Sequence, residues 1–63
     1  MDIRKIQKIN ELISKKRTGP PRIFAANLNL SERMLYRYLQ FLKLEMQAPI
    51  AYNKSNQTYY YTT

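Results

Sequence analysis

At 63 residues the chain is read as one small domain, near the size at which a hydrophobic core alone suffices. The absence of Cys and His removes disulfides, thiolate and imidazole metal ligands, the usual general base and a near-neutral pH switch. Eleven Lys and Arg against four Asp and Glu give a net charge of +7, which favours a polyanionic partner.

The first helix is expected at about residues 2–16, with Asp2 as an acceptable N-cap. Ile3, Ile6, Ile9 and Ile13 recur on one face with Leu12 at its flank, and Arg4, Lys8, Glu11 and Lys15 take the other. Lys15-Lys16-Arg17 suits the negative end of the helix dipole. In Thr18-Gly19-Pro20-Pro21, Gly can end one helix and Pro21 can open the next. The second helix is short, at about residues 21–27. Ile23, either Ala25 or Ala26, and Leu28 are expected to point inward, with Phe24 adding bulk.

Leu28-Asn29-Leu30 is too short for anything but a tight turn, and Asn29 is the residue after Gly that best tolerates a positive φ. Ser31 then caps a third helix at about residues 32–44, and Glu32 suits its positive end. Met34 stands where a capping box would carry Glu or Gln. Leu35, Leu39 and Leu42 form one apolar stripe, whereas Arg33, Tyr36, Arg37 and Gln40 fall on the other side. Leu44 is out of phase with the leucine stripe. Either the helix ends near Lys43, or Leu44 packs against the hairpin or a second subunit.

The remaining segment, about residues 48–62, has the pattern of a hairpin. Pro49 drives Ala48 toward an extended conformation, Ile50 and Tyr52 alternate with Ala51, and residues 58–62 are rich in β-formers. A five-residue polar tip, Asn53 to Gln57, joins the two strands.

These residues together resemble the winged helix-turn-helix family, in the small bacterial form of DeoR-like and biotin-repressor-like DNA-binding domains. The resemblance covers most of the chain. It is carried by Ile3 to Lys16, Arg22 to Asn27, Ser31-Glu32-Arg33-Met34-Leu35-Tyr36-Arg37, Ala48-Pro49-Ile50-Ala51-Tyr52 and Tyr59-Tyr60-Tyr61. Asn29 replaces the usual turn Gly, and the hairpin tip has no Gly at all. The resemblance implies a mainly α fold with a small β-hairpin (α+β): a three-helix winged helix-turn-helix whose third helix enters the major groove. It also implies that Ile50, Tyr59 and Tyr61 face the helices and that Tyr60 faces outward.

The expected function is therefore sequence-specific binding of double-stranded DNA, in a transcriptional regulator or its DNA-binding domain. Arg33 and Arg37 lie where recognition helices meet base edges or phosphate, and the sequence leaves open which of them reads bases. Tyr36 is assigned to a phosphate, Ser31 to capping first and phosphate second, and Met34 to a thymine methyl. Gln40, Lys43, Arg22 and Lys54 complete the expected contacts, and basic residues of the first helix, Arg22 and the hairpin are expected to hold the DNA backbone.

Two other readings stand beside this one. The first is a protein-interaction module using the Tyr-rich hairpin or a Phe41/Leu44 patch, which would equally serve a homodimer. The second is RNA or single-strand binding on the tyrosines. The carboxylates Asp2, Glu11, Glu32 and Glu45 are scattered and no Gly-rich phosphate loop occurs, so no enzyme, cofactor, metal or small-molecule ligand is expected. Lys and Arg interrupt the N-terminal helix, so neither a membrane span nor a signal segment is expected and the default compartment is the cytoplasm.

Overall fold

The computed structural model describes residues 1–62. Three helices, α1 (Ile3–Ser14), α2 (Pro21–Asn27) and α3 (Glu32–Glu45), precede two strands, β1 (Ile50–Asn53) and β2 (Thr58–Tyr61). The strands pair antiparallel in a two-stranded sheet. This α+β arrangement is compatible with a winged helix.

Both helix starts read from side chains form as expected. The Asp2 carboxylate accepts the Arg4 N–H at 2.9 Å, and the Ser31 hydroxyl accepts the Met34 N–H at 3.1 Å. Pro21 opens α2, its fixed φ suiting a position whose N–H has no partner anyway. The end of α1 uses an unexpected chemistry. α1 stops at Ser14, two residues before the expected limit, because Lys16 adopts φ +56°. The Arg17 and Lys16 N–H groups then close back on the carbonyls of Leu12 and Ile13, both at 3.0 Å. That pair of bonds is a Schellman closure, made here at a lysine instead of at Gly19. Asn29 closes α2 in the same way at φ +57°, with Leu30 N–H on the Ala25 carbonyl at 2.9 Å. Gln47, at φ +52°, follows α3. Left-handed geometry costs an L-residue roughly 1–2 kcal/mol, and this chain accepts it at each helix end.

The core is formed by Ile9, Ile13, Phe24, Ala25, Leu28, Leu35, Tyr38, Leu39, Leu42, Ile50 and Tyr59. α1 packs on β2 and α2 on α3. Two expectations about its membership fail. Ile3, in the first turn of α1, is 67% exposed and stays outside the core. Ile23 is also exposed, and Phe24 takes the fully buried place instead. A seven-residue helix offers only a narrow inward stripe, and one residue of rotation exchanges the two. Of the two alanines, Ala25 is buried and Ala26 is not. Tyr38 is an added core member whose hydroxyl accepts the Asp2 N–H at 3.0 Å. Leu35, Tyr38, Leu39 and Leu42 complete an i, i+3, i+4, i+7 stripe.

The hairpin register sets Ile50 opposite Tyr61 and Tyr52 opposite Tyr59, so these four side chains share one face against the helices. Tyr52 and Tyr59 pair across the strands with ring centroids 4.8 Å apart, and Tyr59 lies 5.8 Å from Phe24. Tyr61 donates its hydroxyl to the Asn10 amide oxygen at 2.6 Å. Ala51 and Tyr60 take the opposite face, where Tyr60 is half-buried. The connecting loop has four residues, not five, since Asn53 pairs with Thr58. Glycine is dispensable there for two reasons. The Asn53 side chain accepts the Ser55 and Asn56 N–H groups at 2.9 and 3.2 Å, and Gln57 supplies the left-handed residue at φ +51°.

A polar clasp joins the α1–α2 loop to this hairpin. Thr18 donates its N–H to Thr58 Oγ1 at 3.1 Å, and Tyr59 donates its N–H to Thr18 Oγ1 at 2.9 Å. The two hydroxyls lie 3.2 Å apart. Both threonines are buried, so these bonds satisfy groups that water cannot reach. Thr18→Val is therefore expected to cost about 1–3 kcal/mol by stranding the Tyr59 N–H, with Thr18→Ser recovering most of it in urea denaturation. Leu35→Ala should cost about 2–5 kcal/mol and Ile3→Ala under about 0.5 kcal/mol. The reverse order would mean that the helix faces are misassigned.

Candidate nucleic-acid interface

α3 turns by about 100° per residue, which places Arg33, Tyr36, Arg37, Gln40, Lys43 and Leu44 in a sector roughly 120° wide opposite the buried stripe. All six are exposed, Tyr36 by 50% and Leu44 by 65%. Leu44 thus lies on the cationic face, and α3 continues past it to Glu45. Met34 stands about a quarter-turn from Arg33, on the flank shared with Phe41 and Glu45. Phe41 is partly buried against the core, which separates it from Leu44.

The opposite flank of the sector faces the hairpin. Tyr36, Leu39, Gln40, Lys43, Leu44 and Tyr59 line an open groove of about 360 Å³ between α3 and β2. Burial pushes the Tyr59 phenol up to about 12, with the Tyr36 and Tyr52 phenols and Glu32 adding to the shift. Ser31 sits at the N-terminal edge, exposed, with its hydroxyl oxygen committed to capping and its hydrogen free to donate. The structure therefore brings together Arg33, Tyr36, Arg37, Gln40 and Lys43 on one side of α3. Arg22 is exposed on the first turn of α2, and Lys54 is exposed at the hairpin tip.

Ion pairing distinguishes the cations from one another. Glu11 binds Lys15 at 3.2 Å and Lys8 at 3.3 Å, and Asp2 lies 3.6 Å from Arg4. The hydrogen bonds from Lys15 and then Lys8 hold the Glu11 carboxyl below its ordinary range. For Asp2 the leading cause of a similar lowering is the Arg4 backbone N–H. Lys5 donates to the Leu28 carbonyl at 2.7 Å, at the end of α2. Among the described residues, Lys16, Arg17, Arg22, Arg33, Arg37, Lys43 and Lys54 have no carboxylate within ion-pair distance. An unpaired, exposed cation keeps its whole field available to an approaching anion.

Lys16 falls within the basic first helix already expected at the backbone, whereas Arg17 lies one residue beyond its expected limit. In the sequence Arg17 reads only as a complement to the helix dipole, because its place next to the hairpin depends on the Thr18 clasp. Among the described residues, no group of three or more His, Cys, Asp or Glu could hold a metal ion, and no helix is long and apolar enough to cross a membrane. No protein-family model matches the chain, and no curated protein or solved structure matches it either.

Because the Tyr59 phenol titrates higher in the folded than in the unfolded chain, its contribution to stability is complete below pH 10.0 and is lost as pH rises toward about 12. The thermal midpoint should be flat approaching pH 10 and then fall. Tyr59→Phe should remove part of that fall, leaving the part due to Tyr61, whose phenol burial also raises. A variant falling as steeply as the parent would contradict the assigned burial.

Proposed function

We propose that the chain is a winged helix-turn-helix that binds double-stranded DNA sequence-specifically, as a transcriptional regulator or the DNA-binding domain of one. The observation that carries this reading is the face of α3, where Arg33, Arg37, Gln40 and Lys43 are exposed and free of carboxylates opposite a fully buried stripe. A helix of 14 residues is about 21 Å long, and a major groove accommodates one. In this reading α3 is the recognition helix, with Arg33 and Arg37 at base edges or phosphates. Tyr36 and Lys43, on the flank toward the hairpin, hold the sugar–phosphate backbone. Ser31 and Arg22 donate to phosphate beside them, Lys54 extends the contact from the hairpin tip, and Met34 touches the groove edge.

The hairpin tyrosines support duplex binding better than single-strand binding. Tyr59 is buried, and Tyr52, Tyr60 and Tyr61 are each partly covered, whereas stacking a base requires an open ring face. The reading calls for no catalytic residue and no cofactor.

Replacing both Arg33 and Arg37 with Ala should leave the thermal midpoint within a few degrees of the parent and abolish preference for a duplex selected from a random pool. A bidentate Arg–guanine contact contributes about 1–3 kcal/mol of discrimination, so losing even one amounts to roughly tenfold. A mobility shift in which the double variant retained the parent's preference would remove α3 from the interface.

A further inference from the structure

Lys5 stands on the inward side of α1. It precedes Ile9 and Ile13 at intervals of four, so it continues toward the N-terminus the stripe on which both isoleucines are fully buried. A cation on that side needs a partner, and its ammonium donates to the Leu28 carbonyl at 2.7 Å. That carbonyl lies at the C-terminal end of α2, where a cation suits the helix dipole. Among the described residues no backbone N–H is bonded to it. It is also the last carbonyl before Asn29, which at φ +57° redirects the chain into α3. Lys5 is only partly exposed, and its α1 neighbours Arg4 and Lys8 are spent on carboxylates instead. A second bond, from the Asp2 N–H to the Tyr38 hydroxyl at 3.0 Å, reaches α3 itself. The beginning of α1 therefore holds both arms of the α2–α3 corner.

We propose that Lys5 is a positioning residue for sequence readout, which fixes the corner from which α3 is presented, and is not one of the α1 cations that grip the DNA backbone. The inference rests on the DNA-binding reading above. An ammonium already bonded to a partly buried carbonyl must give up that bond before it can reach a phosphate. Removing it leaves the carbonyl of a buried residue, Leu28, without its partner, and the Leu28–Asn29 peptide is then free to turn toward water. Base contacts depend on the resulting orientation of α3, because hydrogen bonds to base edges weaken steeply with distance and angle. Phosphate contacts tolerate a small reorientation, since charge attraction falls slowly with distance and carries no sequence information.

The test compares the full chain with Lys5→Met and Lys5→Arg by fluorescence anisotropy across a salt series, at a temperature where circular dichroism shows all three folded. Two probes are used, a short mixed-sequence duplex and the duplex recovered from random-pool selection. Lys5→Met should keep the parent's affinity and salt slope on the mixed duplex and lose roughly tenfold on the selected one, the effect of about one misaligned bidentate contact. Lys5→Arg, which keeps a cation with N–H donors at that place, should recover the preference. In the parent, the Lys5 ammonium signal in proton–nitrogen NMR should be the same with and without duplex. Equal weakening of Lys5→Met on both duplexes with a slope shallower by about 0.9, or an ammonium signal that moves on binding, would make Lys5 a phosphate contact and overturn the inference. Undiminished preference in Lys5→Met, with preference still lost on replacing Arg33 and Arg37, would overturn it and leave the α3 reading standing. A parent chain that binds neither duplex would overturn both readings together.

Discussion

Burial of one side of α3 is the constraint from which the rest of the architecture follows. Leu35, Tyr38, Leu39 and Leu42 are all within a few per cent of complete burial, and a helix that hides this stripe must turn Arg33, Arg37 and Gln40 to solvent. The other elements serve that burial. Phe24 and Ala25 of α2, Ile9 and Ile13 of α1, and Ile50 and Tyr59 of the hairpin close around it. Tyr38 adds a tether, because its hydroxyl takes the first N–H ahead of α1 and ties the beginning of the chain to the middle of α3.

A two-stranded hairpin is marginal in water by itself, and here it is held from both faces of the problem, apolar and polar. Tyr59 fills the apolar gap between Phe24 and Tyr52. Thr18 and Thr58 supply the polar half, satisfying the N–H groups of Thr18 and Tyr59 where neither can reach water. Such a network specifies one docking geometry, since sliding the loop along the strand would leave buried donors unpaired.

The turns show how a chain with one Gly still makes abrupt changes of direction. Lys16, Asn29, Gln47 and Gln57 all take positive φ, and each is backed by hydrogen bonding or packing nearby. At Lys16 and Asn29 the compensation is direct, two otherwise orphan carbonyls being satisfied at each helix end. The local strain is thus accepted in exchange for short connections that keep three helices around one small core.

Much of this was legible from residue order alone. Asp2 and Ser31 declared two helix starts, Pro21 a third, Asn29 the tight turn, and the spacing of Leu35, Leu39 and Leu42 the inward side of α3. These are local signals, governed by atoms within one or two turns of the residue concerned. Tertiary structure decided whatever depended on distant partners. It chose Phe24 over Ile23, left Ile3 outside the core, brought Tyr38 in, and joined Thr18 to a strand forty residues away. Helical periodicity states that a face will be buried, but which side chain completes that face depends on where another element lies. No pattern along the chain encodes that distance, so the cations of the α1–α2 loop acquired a place beside the hairpin only when the fold closed.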